Sequence, residues 1–227
     1  MKTLLVLAGV VLLVSTFAAA QKPWSEWDKK EVDKILNGSA WGQTQTETDT
    51  SQMTFRPTTD KEPLSVDGAR NQSVDLKYRI RMFSAKPVRE AFARSVMMAN
   101  PTVKPEQLKN FIDSDYSEMI VVAVAVESAD RRYLGPANQR FAVATTETLK
   151  NSAYIERGDG KRLFIDEYAR PTTDGTGAKF VFPRVVDGKP WLGPGDHLRF
   201  VADLGGGTKV SWRFNLSDMM YSGKLEY

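Results

Sequence analysis

Residues 197–216 read HLRFVADLGGGTKVSWRFNL, and this stretch decides the fold. Val210, Trp212, Phe214 and Leu216 alternate with Lys209, Ser211, Arg213 and Asn215, the period of a strand with one dry face. Gly205-Gly206-Gly207 supplies a turn, so His197 to Asp203 and Thr208 to Leu216 fold back on each other as a hairpin. The register puts the apolar set in the core and Lys209, Ser211 and Arg213 in water, because a slip of one residue would bury the charges.

Two more hairpins lie just upstream. Lys179 to Val186 and Lys189 to Leu192 flank Asp187-Gly188, a strong two-residue turn signal. Ala153 to Glu156 and Arg162 to Tyr168 flank Gly158-Asp159-Gly160. Three hairpins at short spacing predict an antiparallel sheet folded onto a second sheet. Val74 to Met82 alternates as a half-wet strand, with Lys77, Arg79 and Arg81 as a basic row on the solvent side. MIVVAVAV, Met119 to Val126, is apolar throughout and suits a central strand covered on both faces.

Helices are expected at 25–37, where Ser25 is a candidate N-cap with Asp28 three residues on. They are also expected at 86–99 and at 105–113, the last opening on Pro105. Met97 and Met98 near the end of the second read as core fillers. Residues 129–150 are ambiguous, with Gly135-Pro136 as a breaker, a short strand at Phe141 to Val143 and a helical turn from Thr145. Gln43 to Phe55 is polar, with threonine at alternate positions, so it reads as an edge strand or a mobile segment. The fold expected is mostly β within an α+β class. It is an antiparallel β-sandwich-like domain with an N-terminal helix and two inserted helices. Residues 21–72 would form the N-terminal helix and polar segment, and 73–227 the β-rich globular domain.

The N-terminus carries an export pattern. Lys2 precedes an apolar run, Leu4 to Val14, and Ala18-Ala19-Ala20 puts small residues before Gln21. Eleven apolar residues are too few for roughly 30 Å of hydrocarbon. The expectation is a signal peptide at 1–20, cleavage between Ala20 and Gln21, no transmembrane anchor afterwards, and a periplasmic or secreted mature protein. Zero cysteine removes disulfides, thiolate metal sites and cysteine nucleophiles. A cysteine-free exported chain fits a bacterial setting better than a eukaryotic one. Losing residues 1–20 removes one lysine from 31 basic residues and leaves 30 against 28 acidic ones, which is no nucleic-acid footprint.

Groups that carry chemistry are few. His197 is the lone histidine, too little for a histidine metal site, and it reads as a surface residue at a strand mouth. Asp166 and Glu167 are neighbours in a strand and point to opposite faces, so they cannot act together. Asp113, Asp115 and Asp130 read as turn acids. Gly205 to Lys209 lacks the spacing of a phosphate loop. Arg157-Gly158-Asp159 reads as an ordinary turn. Trp24, Trp27 and Trp41 read as anchors docking a marginal helix onto the domain. No catalytic, cofactor or metal residue is assigned.

Three segments carry a family likeness: KPWSEWDKKEVDKILNGSAW at 22–41, FVFPRVVDGKP at 180–190 and WRFNLSDMMYSGKLEY at 212–227. Through them the chain resembles an uncharacterised family of exported bacterial proteins, which implies export and a single domain and no activity. The functional expectation is a non-catalytic envelope binding or structural domain, with an envelope protein or polymer as partner. The alternatives are a carboxylate-dependent hydrolase of polysaccharide or peptide, and a carrier of an apolar ligand. N-terminal sequencing of the extracytoplasmic protein is expected to begin at Gln21; finding Met1 there would end the export reading.

Overall fold

The computed structural model describes residues 22–49 and 74–227. The expected signal, its cleavage point at Ala20 and Gln21, and the polar stretch 50–73 lie outside the described residues. In chain order the elements are α1 (Lys29–Asn37), β1 (Gly42–Asp49), β2 (Val74–Met82), α2 (Lys86–Ala99), α3 (Pro105–Ile112), β3 (Met119–Glu127), α4 (Arg131–Val143) and α5 (Thr146–Leu149). The β-rich remainder holds β4 (Ala153–Arg157), β5 (Arg162–Phe164), β6 (Glu167–Ala169), β7 (Ala178–Pro183), β8 (Val185–Val186), β9 (Lys189–Pro190), β10 (His197–Asp203), β11 (Lys209–Asn215), β12 (Met220–Tyr221) and β13 (Lys224–Leu225). The first sheet has the order β1-β2-β3-β7-β6 and the second β11-β10-β4-β5, all pairs antiparallel. Two short hairpins, β8-β9 and β12-β13, stand outside them. The α+β sandwich-like class read from the sequence is the one observed.

The inner faces meet in a core of rings. Tyr78, Phe141, Phe180, Phe182, Phe200 and Phe214 are all fully or almost fully buried. Phe180 meets Phe200 edge-on at 5.2 Å and Tyr168 at 5.0 Å, and Phe182 lies 6.3 Å from Phe200. Such tilted pairs match ring edge to ring face and fill the space between the sheets. The other face of the first sheet is covered too. Phe83, Val121 and Ala123 form a smaller cluster with Phe92, Phe111 and Tyr116. That burial on both sides explains why β3 is apolar without alternation.

The two sheets are tied along both flanks. On one side the expected strand from Arg162 to Tyr168 is split. The Ile165 amide donates to Ala153 O in the second sheet, and the next amide, Asp166, donates to Val181 O in the first. On the other side the Gln45 side chain spans β1 and β11. Its Nε2 donates to Lys209 O at 2.9 Å, and its Oε1 accepts from the Ser211 amide at 2.8 Å. The carboxamide thus pairs with β11 as a peptide group would. Gln43 to Asp49, read as an edge or a mobile segment, forms β1, an edge strand paired with β2 over its whole length.

Other expectations need correction. The first N-cap is Asp28, not Ser25, because Glu31 completes a reciprocal pair with it: the Glu31 amide donates to Asp28 and the Asp28 amide donates to Glu31. Helices α4 and α5 add to the two inserted helices expected. Pro136 lies inside α4, where it removes one helical hydrogen bond, yet Gly135 and Pro136 sit on the exposed side. There water can satisfy the freed carbonyl, while Ala137 and Phe141 anchor the buried side. Met98 is 37% exposed and Met97 half-buried, so neither is a core filler.

The basic row on β2 is not a wet face. Arg81 is buried, donating from Nε to Leu36 O at 3.0 Å and from Nη2 to Asn37 Oδ1 at 2.8 Å. It therefore satisfies the carbonyl end of α1, where a cation is favoured. Burial pulls its pKa down to about 10, still a cation at neutral pH. Arg79 is spent on Thr44 and Glu127. Gly42 opens β1 so close beneath α1 that a Cβ there would run into the carbonyls of Ile35 and Leu36.

The final strand keeps its expected register. Val210, Phe214 and Leu216 are buried and Lys209 and Arg213 exposed. Trp212 is only half-buried, because β11 is an edge strand and Phe200 flanks it on one side alone. Phe214→Ala is expected to cost about 3–5 kcal/mol in urea unfolding, and Lys209→Ala about 0.5 kcal/mol or less. Equal losses would overturn the register.

Candidate functional site

Helices α1 to α3 lie on the side of the first sheet, so among the described residues no helix covers the outer face of the second sheet. Strand register arranges that face in two rows. Across β11, β10, β4 and β5, one row reads Arg213, Arg199, Glu156, Arg162, and the next reads Ser211, Val201, Tyr154, Phe164. Arg213 and Arg162 are exposed and Phe164 is 44% exposed, while Val201 is buried beneath its larger neighbours.

The charges in the first row are unequal. Arg162 is paired with Glu156 at 2.7 Å and lies over the Tyr154 ring at 4.5 Å, and that ring meets Phe164 at 5.7 Å. Arg199 and Arg213 face each other directly across the strand pair. Arg199 donates from Nε to Ser211 Oγ at 3.3 Å. Among the described residues no carboxylate lies within ion-pair distance of either arginine. With Ser211 and Trp212 they line an open groove of about 360 Å³ at the β11 edge. Like charges placed directly opposite are unfavourable in a sheet. A bound anion would remove the repulsion and receive two planar forks of N–H donors.

The residues singled out in the sequence fall elsewhere. His197 is exposed at the start of β10, on the rim of this face. Asp166 and Glu167 are exposed at the point where the chain changes sheets. Asp130 caps α4 and binds Arg132. Asp115 folds onto Ser117, whose hydrogen bonds hold its carboxyl below the usual range. Asp113 pairs with Lys86 at 3.1 Å. Arg157 and Asp159 close on each other at 2.5 Å, and the guanidinium brings the Asp159 pKa to about 2. Gly205 to Gly207 form the hairpin turn, all with positive φ, and Arg140 donates to Gly205 O. Trp27 is buried and Trp24 and Trp41 pack against the core, so the three dock the N-terminal segment as expected. Among the described residues no group of three or more histidine, cysteine, aspartate or glutamate side chains forms a metal cluster.

The Arg199–Arg213 pair was missed although the signal was present. Counting outward from the glycine turn brings these two residues together. Glu90 was missed as well: it is a buried carboxylate on α2, in a helix turn whose pattern shows only Val88 and Ala91.

If this pair is kept for binding, relieving it should stabilise the fold. Arg213→Glu is expected to raise the unfolding free energy by about 0.2–1 kcal/mol at low salt, with the gain shrinking as salt is added. A loss in urea melts would show that Arg213 already has a structural partner.

No family model matches the chain, and no curated protein matches it. Among solved structures it is similar to a protein of unknown function from Burkholderia pseudomallei, at 10% identity, covering 61% of this chain and 74% of that one. The TM-score is 0.43, too loose a likeness to carry an argument about fold or function.

Proposed function

We propose that this is a non-catalytic binding domain of the cell envelope, exported through its N-terminal signal, that holds an acidic polysaccharide on the open face of the second sheet. The observation that carries the reading is the facing pair Arg199 and Arg213, two guanidinium groups with no carboxylate at ion-pair distance among the described residues. Strands are spaced about 4.8 Å apart, so the row from Arg213 to Arg162 spans roughly 14 Å, enough for successive charged units of a polymer. Tyr154 and Phe164 beside it offer apolar ring faces against which sugar rings can lie. Export favours a saccharide over a nucleic acid as the partner. The ring-filled space between the sheets weighs against a carrier of apolar ligands.

Calorimetry with polygalacturonate, and with dextran as a neutral control, tests the reading. Polygalacturonate is expected to bind, to weaken as salt rises, and to lose at least tenfold in affinity in the double variant Arg199→Gln, Arg213→Gln. Dextran should not bind. Undiminished binding by the double variant would overturn the reading, and tighter binding of single-stranded DNA would redirect it to nucleic acid.

A further inference from the structure

A second concavity, on the opposite side of the molecule from the arginine face, lies between α2 and α3. It encloses about 300 Å³ and has Trp24, Pro105 and Ile112 as apolar walls. Glu90 faces it from the second turn of α2 and is only 5% exposed, the one buried carboxylate among the described residues. The Tyr221 hydroxyl donates to Glu90 Oε2, and the other oxygen, Oε1, accepts no hydrogen bond among the described residues and is reached from the open side of the cleft.

No cation within the described fold pairs with Glu90. Arg89 beside it is turned away, donating to the carbonyls of Ile112 and Ser84 and lying over the Tyr116 ring at 4.6 Å. Lys86 is taken by Asp113 at 3.1 Å. Lys109 and Glu106 share the rim on α3 and offset each other. A carboxylate largely removed from water with no ion pair of its own is costly, and burial, outweighing the Tyr221 hydrogen bond and the charges of Lys86 and Arg89, holds the Glu90 pKa above the usual carboxylate range. One buried carboxylate among apolar walls is a poor donor set for a divalent metal, which wants several oxygens. It suits an ammonium that can hydrogen-bond to Oε1, with a hydrocarbon stem against an indole face that itself attracts cations. The volume is that of a small-molecule site.

We propose that the cleft between α2 and α3 binds a small organic cation, a primary ammonium on an apolar stem, with Glu90 as its counter-charge and Trp24 as its wall. The site is independent of the polysaccharide reading, since it shares no residue with the second sheet.

The probe is n-butylammonium, titrated at neutral pH into the full mature protein and followed by calorimetry and tryptophan fluorescence, with butyrate as the control. Saturable butylammonium binding is expected, with at least a tenfold loss in Glu90→Gln, which keeps the acceptor for Tyr221 and removes the charge. Butyrate should not bind. No saturable binding to the unaltered protein, or equal binding to a folded Glu90→Gln, would overturn the proposal. N-acetyl-lysine methylamide separates two sources of the same chemistry. Tighter binding than butylammonium supports the site with a peptide lysine as its ligand, and weaker binding supports it with a free amine.

A measurement without any variant guards against misfolding of Glu90→Gln. The carboxyl carbon of Glu90 is followed through a pH titration with and without the amine. Lys86, Arg89, Tyr221 and Glu226 act on that titration in both cases, and Glu106, Lys109 and Asp113 line the cleft with and without the amine. Because the cation binds the ionised form, butylammonium should move the Glu90 midpoint to lower pH. An unmoved midpoint would overturn the proposal.

Discussion

Two consecutive peptide amides, those of Ile165 and Asp166, donate to different sheets. That forced crossing is the constraint on which the architecture rests. Backbone groups removed from water must be paired, so the chain can leave the second sheet only where the first is ready to receive it. Once it has crossed there, and Gln45 has joined the opposite flank, the inner faces are held in register against each other. Packing the rings between them then follows from side-chain alternation. The position of the arginine face follows as well, because α1, α2 and α3 cover the first sheet and, among the described residues, no helix covers the outer side of the second.

The helical layer depends on arginines used in a different way. Arg81 ends its reach on Leu36 O at the close of α1, and Arg89 on Ile112 O at the close of α3. Each supplies donors to carbonyls that have no partner inside their own helix. Arg94 adds a bond to Trp27 O. Burial penalises these cations, and both Arg81 and Arg89 have lowered pKa values for that reason. The carbonyl ends of the helices return enough for them to stay charged. Arg199 and Arg213 have no such carbonyl ends above them, since among the described residues no helix lies on their face. The same residue type is a clamp in one sheet and an open donor in the other.

What could be read from the chain was what depends on neighbours in sequence. The inward set Tyr78, Ile80 and Met82 of β2, the register of β11, the apolar run of β3 and the Asp187-Gly188 turn are local, and they stand as expected, with Asp187 and Gly188 both at positive φ. What could not be read depends on distant packing. Arg81 follows the same period as Arg79 and Lys77, and only the docking of α1 over it decides that it is buried. The break at Ile165 has no marker in its own residues, because it arises from where β7 lies. Pro136 was legible only as a breaker, since its tolerance depends on which side of α4 meets water. Glu90 belongs with these: its burial depends on Tyr221, 131 positions away.

The seam made by Gln45 has one more effect. Lys209 O and the Ser211 amide are two of the groups on the free edge of β11 that an incoming strand would have to find unoccupied. With a carboxamide already seated there, the edge is capped over the first residues of β11, and an incoming strand cannot pair with that part of it. At that end of β11 the sheet offers partners a face and not a ladder. Recognition beside this seam is then written in side chains, whose identity can select a ligand, and not in backbone groups, which accept any extended chain.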